Sequence, residues 1–190
     1  MFVFPLRKAT LTVIAICACS VFAPAEENDL IGKQVDGFSL RDVISNKPVK
    51  LQNHRGKVVV LVWYSPNCSA CPEYNVRLKE LSKAYRRKGV ELLGICSSSI
   101  DVEADLKSYA QSEKLDFPLL IDESAAVAQQ FGVQQTCTFV VIDGKGILRY
   151  WGGFDDSTNA TNVKVHFVRD AVDSVLTGKV PERQESSPLG

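Results

Sequence analysis

Val58-Val59-Val60-Leu61-Val62-Trp63-Tyr64-Ser65-Pro66-Asn67-Cys68-Ser69-Ala70-Cys71 is the stretch on which the fold turns. An unbroken apolar, β-branched run fits a central strand covered on both faces. Ser65-Pro66-Asn67 breaks that run. A helix is then expected from about Ser69 to Lys88, with Val76, Leu78, Leu81, Ala84 and Tyr85 at helical spacing and Arg77, Lys79, Lys83 and Arg86 between them. Gly89 has the place of a C′ glycine that ends it. The pair Cys68 and Cys71 therefore falls where a buried strand hands over to a helix.

Upstream, Glu26 to Leu51 reads as a lead-in with short strands around Phe38–Leu40 and Val49–Leu51. Downstream, Val90 to Cys96 is a second buried strand. Asp101 to Ser112 reads as a helix with Asp101 as its N-cap, and Phe117–Ile121 precedes a short helix from Ser124 to Phe131 closed by Gly132. Thr138 to Ile142 is a strand, Asp143-Gly144-Lys145-Gly146 a hairpin turn, and Ile147 to Trp151 the returning strand. A last helix is expected over about Val163 to Leu176, with Val165, Val168, Val172, Val175 and Leu176 inward. Residues 182–190 are polar and aperiodic, and are expected to be disordered. The order β-α-β-α-(β)-α-β-β-α predicts an α/β fold: a central mixed sheet flanked by helices, with an N-terminal strand extension.

The 190 residues carry 22 Lys+Arg against 22 Asp+Glu, so formal net charge is zero. That balance argues against a large basic face, and no nucleic-acid partner is expected. Residues 1–25 read as a signal peptide. Arg7 and Lys8 are its positive region, Ala9–Phe22 an uncharged apolar run, and Ala23-Pro24-Ala25 a small-residue cleavage signal. Ile16-Cys17-Ala18-Cys19 loosely resembles a lipobox, so attachment to a membrane through the N-terminus is a second outcome. The remaining 26–181 is expected to be one domain, and its expected compartment is extracytoplasmic, periplasmic in a bacterium, where disulfides form and persist.

Cys68, Cys71, Cys96 and Cys137 are left to do chemistry. The thiolate is the reactive form of cysteine; helix-start N–H groups and the macrodipole favour an anion, and C-x-x-C motifs lower the first thiol's pKa to about 3.5–7. Cys68 is thus expected to attack a substrate disulfide and Cys71 to resolve the mixed disulfide. No second C-x-x-C or H-x-x-x-H offers the other half of a zinc site. Cys96, in a strand, is expected to be inert. No cofactor is expected.

Trp63-Tyr64-Ser65-Pro66-Asn67-Cys68-Ser69-Ala70-Cys71 resembles the active-site segment of thioredoxin-like proteins, especially the exported TlpA-type and redoxin-domain (AhpC/TSA-like) branch. Phe117-Pro118-Leu119-Leu120-Ile121-Asp122, Phe131-Gly132-Val133 and Thr138-Phe139-Val140-Val141-Ile142-Asp143-Gly144 resemble its later blocks. The resemblance, over about Gly32 to Leu176, implies a thioredoxin fold and a thiol–disulfide oxidoreductase. It implies protein thiols or disulfides and an upstream electron donor as partners. It also implies an active-site loop in which Trp63, Pro66, Thr136 and Cys137 shape docking. Three departures stand out. Cys137 occupies the place of the family's cis-proline and should sit close to Cys68. Tyr74 replaces an acid often found three residues after the second cysteine. Pro72 removes a donor near the helix start. The first departure opens an alternative, a soft-metal (copper-type) site formed by Cys68, Cys71 and Cys137. A peroxiredoxin-type thiol peroxidase is another: Ser65 lies three residues before Cys68, although Leu61 stands where that family has proline.

Overall fold

The computed structural model describes residues 28–189. The signal-peptide reading of 1–25 lies outside them. A seven-stranded sheet runs β2-β1-β5-β4-β3-β6-β7. Its strands are β1 (Ser39–Asp42), β2 (Pro48–Lys50), β3 (Val58–Trp63), β4 (Val90–Cys96), β5 (Leu119–Ile121), β6 (Phe139–Ile142) and β7 (Leu148–Gly152). The helices are α1 (Cys71–Tyr85), α2 (Glu103–Ser112), α3 (Ala126–Gln130) and α4 (Phe167–Leu176). β3, β4 and β5 are parallel; β6 and β7 form an antiparallel pair on β3, and the β1–β2 hairpin adds antiparallel to β5. The expected mixed sheet with an N-terminal strand extension is therefore present.

All of β3 is buried, because both sheet faces are covered. Alternation sends Val58, Val60, Val62 and Tyr64 to the face packed by α1, α2 and α4. Val59, Leu61 and Trp63 point to the other face, against Phe131, α3 and the lead-in residues Val35, Phe38 and Leu51. In α1 the inward stripe is Cys71, Tyr74, Leu78, Leu81 and Tyr85. Val76, expected inside, lies off that stripe and is 63 % exposed; Ala84 is exposed for the same reason. A short 3-10 turn continues α1 to Lys88, and Gly89 ends it in the left-handed region at φ 84°. Among the described residues no helix is long and apolar enough to cross a membrane.

Several expected helix boundaries move, and α1 and α3 each start two residues late, at Cys71 and Ala126. α4 starts at Phe167, since Val163 to His166 leads in without helix and Val165 is exposed. α2 is preceded by Val102 at the N-cap, with no side-chain cap. Asp101 is taken up elsewhere: it accepts from Asn67 Nδ2 and from the Cys96 thiol.

The tail departs from expectation more fully. Residues 184–186 lie against β7, and the Pro188 and Leu189 carbonyls accept from Gln135 and the Tyr74 hydroxyl. Trp151 N–H donates to the Gln184 carbonyl and Ser186 N–H to the Trp151 carbonyl. Ser186 Oγ accepts from Gly153 N–H at 3.0 Å and lies 2.6 Å from the Tyr150 hydroxyl. Pairing of this kind uses backbone groups, so a polar, aperiodic sequence can cover an edge strand without announcing it. Ser186→Ala strands a buried donor at Gly153 and is expected to lower unfolding free energy by about 1–3 kcal/mol, read as a lower urea midpoint with unchanged slope.

A three-thiol candidate active site

The end of β3 delivers the dithiol. After Tyr64 the chain turns: Cys68 N–H donates to the Ser65 carbonyl and Asn67 N–H to Ser65 Oγ. Asn67 is pinned to Asp101, which fastens the turn to the segment after β4. α1 then begins at Cys71, so Pro72 sits in the first turn, where its missing N–H has no helical partner to lose. Cys68 is half-buried, whereas Cys71 is fully buried beneath it.

The loop before β6 brings the third thiol. Cys137 N–H donates to the Trp63 carbonyl at 2.7 Å, and Trp63 N–H to the Thr138 carbonyl at 3.0 Å. These bonds tie Cys137 to the last residue of β3. The Thr136–Cys137 peptide is trans, and Cys137 takes a φ of 56°. That left-handed conformation costs a non-glycine residue about 1–2 kcal/mol, and strain of this kind persists only where surrounding structure over-determines it. Its result is a Cys71–Cys137 Sγ–Sγ separation of 3.1 Å. The Sγ atoms of Cys68, Cys71 and Cys137 all lie within 4.8 Å of one another. Cys137 is thus close to Cys68, as expected, and is in contact with Cys71. This is the one cluster of three or more His, Cys, Asp and Glu side chains among the described residues arranged to hold a metal ion.

Anion-stabilising contacts converge on the buried thiol, whereas the sequence reading placed them on the first. The Cys137 S–H beside Cys71, the Ser65 N–H at 3.5 Å, and the Cys68 and Thr136 side chains bring its pKa down to about 7 against the opposing effect of burial. Cys137 is pushed up for the complementary reason: its proton is held against Cys71 in a buried place. The chief cause is the Cys137 thiol, which the loop before β6 sets against Cys71. The closing of a Cys68–Cys71 bond from a mixed disulfide should therefore speed up about tenfold per pH unit below 7 and level off above it. Rapid acid quench and peptide mass over pH 5.5–8.5 measures this, and Cys137→Ala should move the bend to higher pH.

The docking residues separate. Trp63 is 3 % exposed and faces the sheet side opposite the sulfurs, packed on Phe131 at 5.5 Å between ring centroids. Its contribution to the thiols is its backbone, which holds Cys137. Thr136 belongs to both faces: it reaches Cys71 and also lines an apolar groove of about 290 Å³ with Trp63, Ile95, Ser97, Ala128 and Val133. Pro66 stays in the half-buried turn. Cys96 is buried, donates to Asp101 at 3.1 Å, and its thiol is pushed up to about 12 mainly by burial, in keeping with an inert group.

Sequence reasoning missed the support behind the thiols. Tyr74, one turn after Cys71, packs on Phe139 and Phe154, and the Arg77 guanidinium lies 4.4 Å over its ring. Arg77 pairs with the fully buried Asp155. The signal was available: Tyr74 and Arg77 are three apart, on one helix face, and Arg77 had been placed among the outward charges. Residues 152–155 are buried.

The AhpC/TSA family model matches residues 31–151, well over half the chain. The chain belongs to the AhpC/TSA family. It is 29% identical over 121 residues to thiol-disulfide oxidoreductase ResA of Bacillus thuringiensis subsp. konkukian, covering 64% of this chain and 68% of that protein. It is 30% identical over 141 residues to peroxiredoxin-2 of Cricetulus griseus, covering 66% and 70%. The thioredoxin domain of a thiol-disulfide oxidoreductase from Bacteroides vulgatus superposes with a TM-score of 0.56 at 18% identity, covering 62% of this chain and 84% of that one. The fold is that of thioredoxin, and the chain is an oxidoreductase of the redoxin class.

Proposed function

We propose that this AhpC/TSA-family chain is an exported thiol–disulfide oxidoreductase that reduces or exchanges disulfides in extracytoplasmic proteins through Cys68 and Cys71. The observation that carries the reading is the pairing of a half-buried Cys68 with a fully buried Cys71 whose thiolate is favoured. Cys68 attacks one sulfur of a substrate disulfide and expels the other as a thiolate. Cys71 then attacks Cys68 Sγ, releases the second substrate thiolate, and closes the Cys68–Cys71 bond. Two electrons pass to the substrate, and an upstream thiol donor returns them. The apolar groove beside Thr136 gives the substrate segment a place to lie. The leader-like N-terminus supports export and, if retained, attachment to a membrane.

Equilibration of metal-free protein against glutathione and dithiothreitol buffers, alkylation, and peptide mass test this reading. Cys68 and Cys71 exchanging together as one two-electron couple supports it, and the midpoint gives the working direction. Failure of the two to pair removes it.

Two further readings have observations of their own. The three sulfurs within 4.8 Å favour a soft cation such as Cu(I); no loss of Cu(I) from a colorimetric chelator on adding reduced protein removes that reading. The peroxiredoxin-2 similarity favours a peroxidase, and unchanged hydrogen peroxide in the presence of protein and thiol reductant excludes it.

A further inference from the structure

We propose that Cys71 closes a disulfide with Cys137 as well as with Cys68, so that one oxidising equivalent sits in either of two places around a shared sulfur. The functional use of this inference rests on the thiol–disulfide reading above; the bond itself does not. The Sγ atoms of Cys71 and Cys137 are 3.1 Å apart, and both side chains are buried, at 0 % and 1 % exposure. A disulfide needs about 2.05 Å between sulfurs, about 1 Å of approach from this starting contact. The backbone does not drift to produce the contact by chance. Cys137 is held at φ 56° by its N–H bond to the Trp63 carbonyl, at the end of the strand that also carries the dithiol turn. Cys96, the remaining cysteine of the described residues, is engaged with Asp101.

The exchange balances without an external oxidant. Starting from the Cys68–Cys71 bond, the Cys137 sulfur attacks Cys71 Sγ, the Cys71–Cys137 bond forms, the Cys68–Cys71 bond breaks, and Cys68 leaves as a thiolate. The Cys137 proton ends on Cys68 or in solvent, and no electrons are gained or lost. With Cys71 in the Cys68–Cys71 bond, its thiolate no longer holds the Cys137 proton, and burial is the remaining cost of deprotonation. The outcome matters because the half-buried attacking thiol is free again while the chain remains oxidised. Such a chain can form a mixed disulfide with a second substrate but cannot resolve it through Cys71. The substrate's own thiol must then displace Cys68, which is disulfide rearrangement in the substrate and not net reduction.

Mass mapping tests this. Full-length protein is poised in glutathione buffer, quenched in acid, alkylated, and digested with trypsin without reduction. Cys68 and Cys71 fall in one tryptic peptide and Cys137 in another. The expected result is two oxidised species: a loop-linked Cys68–Cys71 peptide, and a cross-link of Cys71 to Cys137 with Cys68 alkylated, the latter about a tenth or more of the oxidised chain. Diamide-treated Cys68→Ser should keep the cross-link, and Cys71→Ser should lose it. A Cys68–Cys71 bond with no cross-link in wild type or in Cys68→Ser overturns the inference and leaves the proposed function standing. No disulfide among the three in wild type overturns both. A cross-link that survives Cys71→Ser makes Cys68 the partner of Cys137 and overturns the sharing of Cys71.

Discussion

Cys71→Ala protein is expected to remain caught on its substrate, linked through Cys68, with multiple-turnover reduction of a disulfide peptide down by about 1,000-fold or more. The magnitude follows from placement. A well-oriented intramolecular group reacts as though present at about 10⁵–10⁸ M, and the Cys71 sulfur lies within 4.8 Å of Cys68. Thiols arriving from solution at millimolar concentration cannot match that. Among the described residues, Cys137 is the one group able to blunt the effect, since its sulfur lies within the same 4.8 Å. The Cys71→Ala/Cys137→Ala double variant should therefore trap more completely than the single one. Cys68→Ala should trap nothing through this site, because Cys71, Cys96 and Cys137 are buried. Non-reducing gels and intact mass read the adducts directly. A Cys71→Ala chain that turns over within about threefold of wild type would remove Cys71 from the resolving role.

The order of these roles was legible in one stretch of sequence. Val58–Tyr64 could be read as a covered strand because every position is apolar, and Ser65-Pro66-Asn67 could be read as its end. Together they place Cys68 and Cys71 at a helix start without any tertiary information. The register of β3 on β4 and β6 was not legible, since a run apolar on both faces gives no alternation to fix a face. Nor was the division of labour between Trp63 and Thr136, which depends on which side of the sheet each side chain takes. Cys137 could be placed near the dithiol only through resemblance. Its contact with Cys71, and the shift of anion stabilisation onto that buried thiol, required the left-handed backbone at Cys137, which no local sequence pattern specifies. The tail failed for a different reason: edge pairing is made by backbone groups, and composition alone reads a polar segment as free.

Arg77→Ala is expected to be the most destabilising single change outside the thiols, by about 3–5 kcal/mol, because it leaves a buried carboxylate without its partner. Arg77 is 11 % exposed and Asp155 0 %. The guanidinium also donates to the Ser157 and Thr158 carbonyls, and it covers the Tyr74 ring. Arg77→Lys should recover part of the loss, since an ammonium keeps the charge but not the planar fork. The pH dependence identifies the cause. Burial pushes the Asp155 carboxyl above the usual carboxylate range, and Arg77 works against that push. A raised folded-state pKa gives stability that is full below the unfolded value and is lost as pH rises through the folded one. Removing Arg77 raises the folded value further. The deficit against wild type should thus grow as pH rises above the wild-type folded value and shrink as pH falls toward the ordinary carboxylate range. Arg77→Ala/Asp155→Asn should be more stable than Arg77→Ala at pH 7, with the gain fading on acidification. Urea midpoints between pH 4 and 7.5 decide it. A deficit that does not change with pH would mean that Arg77 acts through packing on Tyr74 and the loop carbonyls, and not through its charge.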